Sequence, residues 1–123
     1  MYQRLLVGFL LVPLAWLPAI GWQGSPANSS VQRIPQFENE SVKVWKSIIR
    51  RDAPLTPHRH DHGRTIVVLT GGDLKIVKET GQTTTVHWEA GKAYWLPPDP
   101  PGELHRDVNE AERPIEVMVV EMK

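Results

Sequence analysis

From Ser41 onward the chain is cut every few residues by a turn, and what lies between the cuts is short and rich in β-branched and aromatic residues. The runs are SVKVWKSII (41–49), TIVVL (65–69), DLKIV (73–77), TTTVHW (83–88), AYWL (93–96) and IEVMVV (115–120). They are separated by GG, KETGQ, EAGK and PPDPPG. No run carries apolar residues at the i, i+3, i+4 spacing of a buried helix face, and each is too short to make one. Within SVKVWKSII, Val42, Val44 and Ile48 share one face, with Lys43 and Lys46 giving an imperfect alternation. Many short strands at this spacing predict an all-β fold, a small sandwich or barrel, over residues 41–123. The paired glycines of LTGGDL read as a tight hairpin. They do not read as a phosphate loop, because no Lys-Ser/Thr follows and no helix begins there.

The first 27 residues have a different character. Arg4 precedes an apolar run from Leu5 to Trp22, and small residues follow, with Ser25 and Ala27 at signal-peptidase spacing. This layout predicts a secretory signal peptide at residues 1–27 and a periplasmic or secreted mature chain. An uncleaved membrane anchor is the competing reading, since the run approaches the ~20 residues a bilayer requires. Pro13 and Pro18 within it argue for cleavage, after Ala27 or, alternatively, after Gly21. Signal removal would leave no membrane partner. Residues 28–40, NSSVQRIPQFENE, are polar and without period, and read as an N-terminal arm or edge segment.

Whole-chain charge is balanced, with 14 basic and 14 acidic residues. A neutral domain lacks the electrostatic footprint that nucleic acid demands, so that partner class is set aside. The absence of cysteine excludes a disulfide framework, a thiolate metal site and a cysteine nucleophile.

Three of the five histidines fall in one octet, PHRHDHGR at 57–64. On an extended strand His58 and His60 point to the same side, with Arg59 opposite, and can approach one ion at ~2.0–2.2 Å. Gly63 implies a turn that would take His62 out of line. His62 stays a candidate substitute ligand only if that turn folds it inward. The third ligand would then be distant, and His105 in GELHRDVN is available. His87, between Val86 and Trp88, is expected to face solvent.

These residues resemble the two short motifs of the cupins, a family of small β-barrels also described as jelly rolls. The first motif has His-x-His, three or four residues, Glu, six residues and Gly; here His58-Arg59-His60 and Gly71 match. The second has Gly, five residues, Pro-x-Gly, two residues, His, three residues and Asn. Gly91 and Pro97 match its start, extra residues interrupt it, and Gly102, His105 and Asn109 complete it. The similarity spans about residues 40–122.

The resemblance implies a divalent metal held by His58, His60 and His105, with iron favoured and manganese, zinc, nickel or copper also compatible with histidine ligation. The family's usual glutamate ligand is replaced by Arg64, which has no lone pair to offer a metal. Two readings stay open. In one, a three-histidine site resembles that of certain cupin dioxygenases. Arg64 then clamps the carboxylate of a small anionic metabolite, and Tyr94 or Trp95, on alternate faces, lines the cavity, giving dioxygenase or lyase/isomerase chemistry. In the other the metal is lost, and Arg64 pairs with Asp61, Glu103 or Asp107 in a non-catalytic ligand-binding or sensor-like module. Exposed edge strands, as in IEVMVV, would suit a homodimer.

Overall fold

The computed structural model describes residues 32–51 and 56–123, so the expected signal segment at 1–27 lies outside the described residues. Eight strands account for the fold: β1 (Gln32–Glu38), β2 (Val42–Ile49), β3 (Arg64–Thr70), β4 (Gly72–Lys78), β5 (Thr83–Trp88), β6 (Ala93–Leu96), β7 (His105–Asn109) and β8 (Ile115–Met122). They form two antiparallel sheets, ordered β1-β2-β8-β3-β6 and β5-β4-β7. IEVMVV, expected at an edge, is instead the start of β8 and is paired on both sides, with β2 and with β3. From β3 onward the chain passes between sheets at nearly every connection, and only β4 and β5 are hairpin neighbours. That alternation winds the two sheets into one closed roll.

The corner between β3 and β4 shows why a hairpin was the wrong reading of Gly71-Gly72. The two strands belong to different sheets, and the register of β3 slips between Val68 and Thr70 just before the turn. A Cβ at Gly71 would collide with the carbonyl oxygen of Trp88 and lie 3.0 Å from the Ala90 nitrogen. Glycine is therefore required by close approach of backbone, not by a left-handed turn. The KETGQ segment is a true hairpin, closed by the Gly81 N–H donating to the Lys78 carbonyl at 2.9 Å, with Gly81 at φ +89°.

Part of the segment expected to be a polar arm, Gln32–Glu38, is an edge strand paired with β2 over most of its length. The expected run at 41–49 becomes β2, with Trp45, Ser47 and Ile49 turned inward. Trp45, Ile49, Ile66, Val68, Leu74, Trp88, and the odd-numbered residues of β8 from Ile115 to Val119 make the core. The indole N–H of Trp45 is satisfied within it by Ser47 Oγ at 3.0 Å.

The opposite face of the five-stranded sheet is also largely apolar. Phe37, Val44, Val120, Val67 and Trp95 alternate with the core residues of their strands and so share that outer face. Phe37 and Trp95 are each 58% exposed. The one ion pair there among the described residues, Lys46–Glu116 at 2.9 Å, is internally neutral.

Candidate metal centre

Two separate stretches of chain meet at one end of the roll. His58 and His105 are bridged as an antiparallel pair, each donating its backbone N–H to the other's carbonyl at 2.9 Å. The bridge extends the β7 edge of the smaller sheet by one residue and fixes the two imidazoles with centroids 4.7 Å apart. His60 follows two residues on, its ring 5.1 Å from His58 and 5.9 Å from His105. The three offer ligand nitrogens that all lie within 4.8 Å of one another. Two nitrogens bound to one ion span at most ~4.4 Å, so small ring rotations suffice.

The ring orientations agree with that use. His58 Nδ1 is 3.1 Å from the Thr56 carbonyl, and His60 Nδ1 is 3.1 Å from Glu121 Oε2. Both oxygens can only accept, which places the proton on Nδ1 and leaves the Nε2 lone pair for an ion. Burial pushes the His60 imidazole below its ordinary pKa, and the Arg64 charge adds to this against the opposing Glu121 hydrogen bond. His105 is lowered too, by burial first, with Asp107 and Asp99 pulling the other way. Neutral imidazole is the form that binds metal.

Arg64, at the start of β3, is 6% exposed and lines a cavity of about 300 Å³ together with the three histidines. The inner walls are apolar, including Trp45, Ile66, Leu74, Trp88 and Val117. Burial lowers the guanidinium pKa, and the charges of Asp99, Asp107 and Glu121 hold it up. Its Nη1 donates to the Pro97 carbonyl at 3.4 Å and its Nη2 lies 3.8 Å from Asp99 Oδ1. None of the three expected ion-pair partners takes it. Asp61 pairs with Arg59 at 2.9 Å and Glu103 with Lys78 at 2.7 Å, while Asp107 Oδ1 lies 3.9 Å from His105 Nε2.

Two expected site residues stand elsewhere. His62 is exposed, beyond the bend at Asp61-His62, and does not join the cluster. Tyr94 does not line the cavity. It faces inward but packs against the core, in register with Ile66, and its hydroxyl accepts the Glu89 N–H at 3.1 Å. Trp95 is on the outer face, its ring against Gly63. His87 faces solvent as expected, 2.6 Å from Asp73 Oδ1.

Asp99 and Glu121 went unnoticed in the sequence. Asp99, inside PPDPP, accepts the His60 N–H on Oδ2 at 2.7 Å, donates its own N–H to the His60 carbonyl at 2.9 Å and reaches His105 Nδ1 at 3.5 Å. The only signal available was its place in the insertion that interrupts the second motif. Glu121 had none, being one of several charges near the C-terminus. Asn109, the last residue of that motif, is 1% exposed and ties strand ends together rather than meeting a ligand.

No protein-family model matches the sequence. No curated protein matches it either. Solved structures do. A cupin domain from Bordetella pertussis Tohama I aligns with TM-score 0.68 at 23% identity, over 80% of this chain and 99% of that one. A protein with a double-stranded β-helix domain from Klebsiella pneumoniae aligns with TM-score 0.58 at 23% identity, over 80% and 81%. An RmlC-like cupin family protein from Methanocaldococcus jannaschii aligns with TM-score 0.57 at 12% identity, over 81% and 86%. The winding of eight strands between two sheets, and these likenesses, show that the chain has the fold of the cupins, the double-stranded β-helix, with a three-histidine group that could hold a metal ion at one end.

Proposed function

We propose that the protein is an exported metal-binding cupin, in which His58, His60 and His105 hold a divalent ion and Arg64 binds the carboxylate of a small metabolite. The observation that carries this reading is the histidine cluster itself, whose three residues each offer a ligand nitrogen within 4.8 Å of the others, with Nδ1 of His58 and His60 engaged by acceptors. The surrounding charge supports it. Asp99, Asp107 and Glu121 all favour positive charge at Arg64, and Asp99 also favours it at His60 and His105, so the carboxylates around the cluster suit a cation.

When bound, the ion supplies Lewis-acid polarisation and, if it is iron, redox chemistry. The chain's own residues do the rest. Arg64 presents a planar fork suited to a bidentate carboxylate. The apolar walls exclude water from the far end of the cavity and accept a hydrocarbon or ring portion of the ligand. Dioxygenase or lyase/isomerase chemistry on such a molecule is the reaction class this arrangement suits.

A second copy of the chain is the partner proposed for the outer sheet face. Five strands at ~4.8 Å spacing and seven residues at ~3.3 Å give at most about 550 Å² before side-chain corrugation. That approaches the ~800 Å² per partner of a standard stable interface.

Elemental analysis of protein purified without chelator or added metal, beside the His58→Ala/His60→Ala double variant, tests the central reading. Near-stoichiometric metal in the parent and none in the variant is the expected result. No metal in either, even after reconstitution, would replace it with the non-catalytic binding module.

A further inference from the structure

Asp99 contacts two of the three histidines and both arginines beside them. Its carboxylate accepts the His60 N–H at 2.7 Å, lies 3.5 Å from His105 Nδ1 and stands 3.8 Å from Arg64 Nη2. Its backbone pairs with the His60 carbonyl at 2.9 Å and accepts from Arg59 Nη2 at 3.3 Å. Prolines at 97, 98, 100 and 101 flank it on both sides. Each fixes a φ angle, so the loop holds the carboxylate in place with little conformational freedom to lose.

The distances are unequal in an informative way. The contact with the His60 N–H is a short charge-assisted hydrogen bond. At 3.8 Å the contact with Arg64 is only Coulombic, beyond hydrogen-bond range. Arg64 carries five N–H donors, and among the described residues its side chain makes one hydrogen bond, at 3.4 Å. A carboxylate arriving in the cavity can make the forked pair that Asp99 does not, but it must do so beside a resident negative charge. The same charge favours a cation at the histidines.

Resting on the metal and carboxylate reading above, we propose that Asp99 is the positioning and selecting residue of this site. It orients His60 and His105 for a divalent cation, and as the resident counter-anion of Arg64 it weakens the binding of a ligand carboxylate. Loss of its charge therefore moves the two affinities in opposite directions.

The test is Asp99→Asn in the full chain, which keeps the size and an oxygen acceptor for the His60 N–H while removing the charge. Calorimetric titration with Ni²⁺ alone should show affinity reduced about 10–100-fold, the usual cost of altering a group behind a metal ligand. Titration of chelator-treated protein with benzoate, a carboxylate on an apolar ring, should show affinity raised about tenfold, as expected when one like charge at this range is removed. Asp99→Glu restores the charge and should return both values towards the parent. A structural role alone would weaken both ligands together, and that result overturns the proposal, as does an unchanged affinity for either. If Asp99→Asn does not fold, Asp99→Glu decides, since a kept charge with both affinities lost would leave nothing electrostatic to explain. A parent that binds no Ni²⁺ refutes the metal reading, and with it the cation half of the proposal. A parent that binds Ni²⁺ as tightly as Asp99→Asn refutes only the role of Asp99.

Discussion

Replacing Asn109 by alanine should destabilise the fold strongly while leaving the metal site formed in whatever protein stays folded. Asn109 is 1% exposed and makes three hydrogen bonds. Its Nδ2 donates to the Ile49 carbonyl at 3.0 Å and to the Arg113 carbonyl at 2.9 Å, and its Oδ1 accepts the Ala111 N–H at 3.0 Å. The side chain thus joins the end of β2 to the turn between β7 and β8. In the alanine variant the Ile49 carbonyl keeps its place opposite Ile115 in the β2–β8 ladder but loses the bond from Asn109, at a cost of about 0.5–1.5 kcal/mol. Ala111 and Arg113 are exposed, and water can replace the bonds there, so each loses about 0.5–1 kcal/mol. The total is about 2–3 kcal/mol, a large share of the ~5–15 kcal/mol typical of a domain, and worth roughly 10–15 °C in melting temperature for a domain this small. Asn109→Asp should be at least as harmful near neutral pH, since a carboxylate would face two carbonyl oxygens. Urea unfolding at constant m-value is the assay. A loss below ~1 kcal/mol for Asn109→Ala would refute the claim that this side chain, rather than strand pairing, secures the end of the roll.

Other consequences follow from the same geometry. Single alanine changes at His58, His60 and His105 should each remove most bound metal by elemental analysis, whereas His62→Ala and His87→Ala should remove none; full metal after loss of His105 would break the bridge between the two motifs. Gly71→Ala should cost about 1–3 kcal/mol in urea unfolding, because the intruding Cβ meets backbone, while Gly63→Ala should cost less because it displaces an exposed indole. His60 and His105 bind protons less readily folded than unfolded, so the unfolded chain gains protons first on acidification. Chelator-treated protein should accordingly lose stability as pH falls from about 6.5 towards the lowered values, and stability that rises over that window would contradict the burial of both rings. Val120→Lys, on the outer sheet face, should shift a dimer to monomer in sedimentation; a parent already monomeric at high concentration would remove the second copy from the account.

What could be read from the sequence was what repeats locally. Alternation in TTTVHW and AYWL set those strands to the residue, and the His-x-His spacing put two rings on one side. HRDVN was not legible as a strand, because its own composition is polar; it becomes β7 by pairing with β4 and with His58. Alternation also gives the face of a residue but not its depth along the roll. Tyr94 and Leu96 both turn inward, yet Leu96, in register with Arg64, lines the cavity, and Tyr94, one step away beside Ile66, is packed in the core. The carboxylates were hidden for another reason. Asp99 and Glu121 are 39 and 61 residues from His60, the contact each makes there, and nothing local marks a charge as one that will be buried.

That separation explains how an arginine can stand where a ligand glutamate is expected without abolishing the site. A guanidinium beside a divalent ion is repulsive if the two are considered alone. Here Asp99, Asp107 and Glu121 all act on Arg64, and Asp99 and Glu121 also act on His60. Negative charge has been moved from a direct ligand to groups behind the ligands. The consequence is chemical. A ligating glutamate occupies a coordination position permanently, whereas carboxylates behind the imidazoles leave that position open and still offset the ion's charge. Under the proposed function that position would be free for an oxygen of the substrate, and Arg64 would give that oxygen a reason to belong to a carboxylate. On that proposal an arginine in this place is better accounted for by the ligand the cavity would admit than by the metal it would have to tolerate.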